Sequence, residues 1–273
     1  MLNTSSVLKT FATRYPFLFA FLCFLLVFVI LSIDTYLVPK NAVIAQWSSI
    51  ILLIILFLLA FALLFSLGWI RAAGFTAPAN WRDMHVFWLP VLITLIIMVP
   101  LLFELPRASS FGAVTYAALF ALLTGLNEET LSRGLILQIL RPYGPVRAAL
   151  ISAIFFGLLH GNNFAYLPLP VVVAQIIWAM LLGFAYAALR LRTGTIWPLI
   201  ILHACSDLAV DVNLYASPQK NVTGAVSSPG LLLASLGGLL LLTLILAIYG
   251  FFLLHSQKQV DSTLQTEGVA ETK

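Results

Sequence analysis

An all-α fold, a polytopic transmembrane helical bundle of about eight membrane-spanning helices, is what this sequence predicts, on three observations. Apolar residues come in runs of about 20, the length of helix that crosses a hydrocarbon core roughly 30 Å thick. Charge is scarce: 62% of the 273 residues are hydrophobic and 9% are charged, and the mean hydropathy of +1.05 exceeds what a soluble domain of this size tolerates. Apart from Arg133, the cations fall between the runs or at their ends, one or two at a time. That scatter also sets nucleic acid aside as a partner, because no basic block is present to follow a phosphate backbone. Strands are not expected, since a strand alternating lipid and lumen faces would carry polar residues at every second position.

The runs cover 16–33, 47–70, 86–103, 111–140, 147–164, 171–189, 195–212 and 230–254. The first follows Lys9 and Arg14, exceeds an ordinary signal-peptide apolar core and has no clean small-x-small cleavage site after it, so it reads as a retained anchor helix. Trp47, Trp69, Trp81, Trp88 and Tyr143 lie near run ends, where amphipathic rings anchor at the interface. The seventh run opens with Thr195 as N-cap and Pro198 in the first turn, both ordinary helix-start signals. Residues 1–15 and 255–273 read as tails, largely disordered, and 217–230, with Pro218, Asn221, Gly224 and Pro229, as an outer loop. Residues 16–254 therefore form one transmembrane domain, with no fixed-period repeat and no second domain.

Orientation follows from the cations. Lys9, Arg14, Arg71, Arg82, Arg141, Arg147, Arg190, Arg192, Lys258 and Lys273 share one side, against Lys40, Arg107 and Lys220 on the other. The bias places both termini in the cytoplasm of a multi-pass cell-membrane protein. Cys23 and Cys205 sit inside apolar runs, which supports neither a disulfide framework nor a Cys-based zinc site.

Six ionisable residues lie deep in the apolar sequence: Glu128, Glu129 and Arg133 in the fourth run, His160 in the fifth, His203 and Asp207 in the seventh. A central Asp or Arg costs about 2.5 to 3.5 kcal/mol on insertion scales, so such residues face the bundle interior and work there. Glu128 precedes Arg141 by thirteen residues and His160 follows Arg147 by thirteen, which at 1.5 Å per residue puts both about 20 Å from the same surface. His203 and Asp207 rise about 12 and 18 Å from their helix start, so three helices bring polar groups to one layer. Glu129 and Arg133 are i and i+4 with the acid first, the favoured order for a helical ion pair, and read as structural. Glu128 is turned about 100° from Glu129 and is the better candidate for chemistry. His203 and Asp207, again i and i+4, share a face that suits joint metal ligation or orientation of the imidazole by the acid. Asn127, Asn162, Asn163 and Cys205 read as packing or hydrogen-bonding residues.

Three ordered motifs, Glu128-Glu129-x-x-x-Arg133, Phe156-x-x-x-His160 and His203-x-x-x-Asp207, together resemble the CPBP family of intramembrane proteases, which takes in CAAX prenyl endoproteases and bacteriocin-immunity relatives. The resemblance covers about 80 residues and includes Gly134 and the lead-in Gly194-Thr195-Ile196-Trp197-Pro198. It implies a protease core at about 111–212 with a polar cavity. There Glu128 activates water against a peptide carbonyl and His160 assists. His203 and Asp207 either bind a metal or stabilise the oxyanion. Many relatives have Asn where this chain has Asp207. An ionised Asp cannot donate to an oxyanion but can ligate a cation, which favours Zn2+ held by His160, His203 and Asp207. The implied substrate is a peptide or protein, membrane-associated or lipidated. Two other classes remain open: a non-enzymatic immunity or scaffold protein that keeps the fold, and a proton-coupled transporter, against which the lack of an inverted pair of broken helices counts.

Overall fold

The computed structural model describes residues 4–37, 42–78, 80–103, 111–216 and 229–270. All regular structure among them is helical. Ten α-helices follow one another: α1 (Thr4–Arg14), α2 (Pro16–Leu37), α3 (Ala42–Leu67), α4 (Trp88–Phe103), α5 (Phe111–Glu129), α6 (Leu137–Leu140), α7 (Pro145–Leu159), α8 (Leu169–Thr193), α9 (Trp197–Ala216) and α10 (Pro229–Ala270). Among the described residues, seven apolar helical stretches are long enough to cross a membrane. The eighth expected span is α9, whose apolar part within the described residues, Trp197–Leu208, is short. This is a multi-pass membrane protein.

Proline and glycine punctuate the bundle where the sequence places them. Pro16 and Pro145 open α2 and α7, positions at which the missing N–H would be unpaired anyway. Gly194 closes α8 in the left-handed conformation, φ 74°, the usual helix stop. Thr195 does not cap α9. Its hydroxyl donates instead to the Thr76 carbonyl, 2.8 Å away, because the chain after α3 folds back under the start of α9.

Two expectations of disorder are corrected. Residues 4–14 are helical, and Leu8, Phe11 and Ala12 pack into the main core with Leu64, Leu67, Ala73 and Leu140. An amphipathic first segment therefore gains apolar burial that composition alone does not reveal. The C-terminal helix α10 runs on past His255 to Ala270. Of the expected outer loop 217–230, residues 217–228 lie outside the described residues and Pro229 and Gly230 open α10; the outer cations Lys40, Arg107 and Lys220 lie outside them too, as does Lys273.

The bundle is held by close helix crossings rather than by apolar transfer, since its outer face is as apolar as lipid: Leu26, Leu58, Phe65 and Phe252 are all more than half exposed. α5 lies along α9, and α8 lies between α7 and α10. Glycines permit this. A Cβ on Gly125 of α5 would come within 2.9 Å of the Ile200 carbonyl oxygen and 3.0 Å of the Ala204 nitrogen on α9; on Gly157 of α7 it would come within 2.8 Å of the Ile176 carbonyl oxygen on α8. Between α5 and α6 the helix widens to a π-helical segment, Thr130–Ile136, every residue of which is buried. Ser152 of α7 donates to its Ser132 carbonyl at 2.8 Å. Such i to i+5 segments often sit beside functional residues.

Candidate active site

Glu128 and Glu129 end α5 just before the π-helical segment, opposite His203, which lies nearly two turns into α9. The imidazole is clasped by both. Its Nδ1 lies 2.7 Å from Glu129 Oε1, and its Nε2 lies 3.5 Å from Glu128 Oε2 and 3.4 Å from Asp207 Oδ2. A carboxylate oxygen only accepts, so Nδ1 carries the proton in the first contact. On the other side Nε2 meets two carboxylate oxygens, and a proton must lie on one of these three atoms for lone pairs not to oppose each other.

Burial grades across the cluster. Glu129 and Arg133 side chains are 0% and 1% exposed, His203 is 8% exposed, and Glu128 and Asp207 are 28% and 27% exposed. The two acids flanking Nε2 are thus partly open, while the Glu129 side is enclosed. Arg133 Nη1 donates to Glu129 Oε1 at 2.8 Å, so one oxygen takes both the guanidinium and the imidazole. The rest of the guanidinium lies over the Phe156 ring, 4.1 Å from its centroid, and near Tyr186. These ring faces compensate Nη2, which has no hydrogen-bond partner.

His160 is placed differently. It caps α7 and begins a 3-10 turn, His160–Ala165, near the end of the apolar span Pro145–Ala165. Its Nδ1 is 3.1 Å from the Phe156 carbonyl, which can only accept, so Nδ1 carries a proton and Nε2 is the ring nitrogen left for other partners. Among the described residues no hydrogen bond or ion pair joins His160 to the His203 cluster. Phe156 links them: its ring meets His160 and His203 edge-on, at 5.2 and 6.0 Å between centroids. The following turn is tied down, with Asn162 accepting from Ser32 at 2.6 Å and Asn163 donating to Gln175 at 2.6 Å.

The expected zinc ligands His160, His203 and Asp207 do not form a ligand set as they stand. Among the described residues no three His, Cys, Asp or Glu side chains are grouped to hold a metal ion. Nδ1 of His203 is held by Glu129 and Nδ1 of His160 by a backbone carbonyl, which leaves Nε2 as the other ring nitrogen of each.

The sequence reading assigned Glu129 to Arg133 alone. That it also holds His203 is invisible from spacing, because the contact joins residues 74 apart in the chain. Gly125 and Gly183 were likewise unread. A Cβ on Gly183 would meet Phe156 Cδ1 at 3.1 Å and Arg133 Nη2 at 3.3 Å, so this glycine leaves the room in which the guanidinium stacks.

This geometry lies within a segment with a recognised family signature. Residues 110–209 match the model of the type II CAAX prenyl endopeptidase Rce1-like family. The matched segment contains all six ionisable residues and encloses the span of the CPBP resemblance read from the motifs, Glu128 to Asp207. Comparison with curated proteins and with solved structures gave no match. The Rce1-like segment runs from α5 to α9 and leaves α1 to α4 and α10 outside.

Proposed function

We propose that this protein is an intramembrane endopeptidase of the CAAX-processing type, acting on a peptide or protein substrate that is membrane-associated or lipidated. The observation that carries the proposal is the half-open Glu128 carboxylate beside His203 Nε2, with the imidazole fixed from its enclosed side by Glu129. Glu128 is the base. It takes a proton from water as the water oxygen bonds to the peptide carbonyl carbon and the carbonyl electron pair moves onto oxygen. Collapse of that adduct breaks the C–N bond, and the proton passes from Glu128 to the leaving amine. His203, oriented by Glu129 and Asp207, presents Nε2 to the developing oxyanion or to Glu128 itself. His160, with Nδ1 committed to Phe156, offers Nε2 to the second hydrogen of the water.

The test is cleavage of a peptide library by purified protein, parent against Glu128→Gln, each with and without a chelator. The amide keeps the volume but cannot take a proton, so Glu128→Gln should lose cleavage by about 100-fold or more while melting like the parent. The parent should keep its activity in chelator. Full cleavage by Glu128→Gln removes the base assignment, and loss of parent activity that zinc restores replaces this mechanism with a metal-dependent one.

A further inference from the structure

Next to the Glu128–His203 cluster, which it meets at Arg133, a pocket gathers four arginines at one end of the bundle. Arg71, Arg133, Arg141 and Arg190 line a pocket of about 220 Å3, together with Gln138 and Gly194 among others. No Asp or Glu lines it. Among the described residues, Arg71, Arg141 and Arg190 have no ion pair, the acid near this end, Asp83, being taken by Arg192 at 3.0 Å.

The pocket is built around Arg190. This side chain is buried, 7% exposed, and is held by backbone rather than by acid. Its Nε donates to the Ala73 carbonyl at 3.0 Å and its Nη2 to the Ala72 carbonyl at 2.6 Å. The chain is shaped to receive it: Gly74 adopts φ +95°, and a Cβ there would lie 2.3 Å from Arg190 Nε. A structural role for Arg190, satisfying two carbonyls after α3, accounts for Nε and Nη2 only. It leaves Nη1, and it does not explain why Arg141 and Arg71 are brought beside it. Arg141 has a neutral partner, Gln138 Oε1 at 3.3 Å. Like charges gathered in a half-enclosed concavity repel unless an anion joins them.

We propose that this pocket binds a phosphate group. Arginine forks match phosphate oxygens in geometry as well as charge. The pocket lies at the end of the bundle that also holds the Trp69 and Tyr143 anchors, the level at which lipid headgroup phosphates sit. Two sources share this chemistry, the headgroup of an anionic phospholipid and free inorganic phosphate. Neither depends on the protein being a peptidase.

The experiment uses full-length protein in phosphatidylcholine nanodiscs, compared with discs containing phosphatidylglycerol, and separately with inorganic phosphate at matched ionic strength. Melting temperature and the number of phosphatidylglycerol molecules retained in native mass spectra are the two readouts. Arg71→Ala/Arg141→Ala removes two exposed cations of the pocket, and Arg14→Ala/Arg82→Ala removes two exposed cations elsewhere. The pocket pair should weaken phosphatidylglycerol binding about tenfold or more, as expected for losing two charged hydrogen-bond partners, while the remote pair leaves it unchanged. Stabilisation of the parent by phosphatidylglycerol alone identifies the lipid as the source. Stabilisation by inorganic phosphate as well shows that the phosphate group suffices. Equal responses of the two double variants, or a parent that neither ligand stabilises, overturn the proposal.

Discussion

Gly125→Ala tests whether the α5–α9 crossing sets the site. Gly125 lies one turn before Glu129 on α5, and the added Cβ would fall 2.9 Å from the Ile200 carbonyl oxygen and 3.0 Å from the Ala204 nitrogen. Both are backbone atoms of α9, so no side chain can swing away. The first contact is half an ångström short of the 3.4 Å at which such contacts become ordinary. The helices must separate by about that much, and the Nδ1–Oε1 bond between His203 and Glu129, 2.7 Å in the parent, lengthens to about 3.2 Å, the edge of hydrogen-bond range. Overpacking of this kind costs about 1 to 3 kcal/mol, partly offset by about 1 kcal/mol from the better helix propensity of alanine. Because a 1 Å misplacement costs on the order of 100-fold in rate, a shift of half that predicts roughly a tenfold loss. The assay is peptide cleavage and thermal melting of Gly125→Ala beside Gly112→Ala, a glycine of the same helix with open space around it. The control should match the parent or melt slightly higher. A Gly125→Ala protein with parental melting and parental rate would refute the idea that backbone contact at this crossing positions the imidazole.

Two further outcomes follow from the buried charges. Arg133→Ala leaves Glu129, with 0% of its side chain exposed, facing His203 without its guanidinium. Loss of one partner of a buried pair costs about 3 to 5 kcal/mol, so folded yield and melting temperature should both drop; unchanged melting would show that the pair carries no stability. The second outcome concerns orientation. Arg71, Arg141 and Arg190 meet in one pocket, and Arg192 reaches Asp83, so these cation-bearing loops occupy one end of the bundle. The cation bias assigns that end to the cytoplasm. In a background lacking Cys23 and Cys205, Arg82→Cys should react with an impermeant thiol reagent only from the cytoplasmic side, and labelling from outside would invert the topology.

The membrane class, the helical content and the approximate position of each run were legible in the residues, because hydropathy acts locally: about 20 apolar residues in a row have few other stable arrangements. The Glu129–Arg133 pair was legible for the same reason, its partners being one helical turn apart. The motif order pointed to the segment that the Rce1-like match covers. The rest needed the fold. Residues 4–14 look polar enough to be free until the core shows where Phe11 and Ala12 go. Spacing on α5 turned Glu128 and Glu129 away from each other, yet both reach one imidazole, because His203 is set between them by α9 and their carboxylates approach from opposite sides of the ring. Depth along the helices put His160 in the same layer, but the end of α7 and its bond to Phe156 decide which nitrogen it presents. Residues one turn apart are related by the helix itself, and so can be read from sequence. Contacts between helices depend on how closely two backbones approach, and here that is decided by the atoms that Gly125 and Gly183 lack.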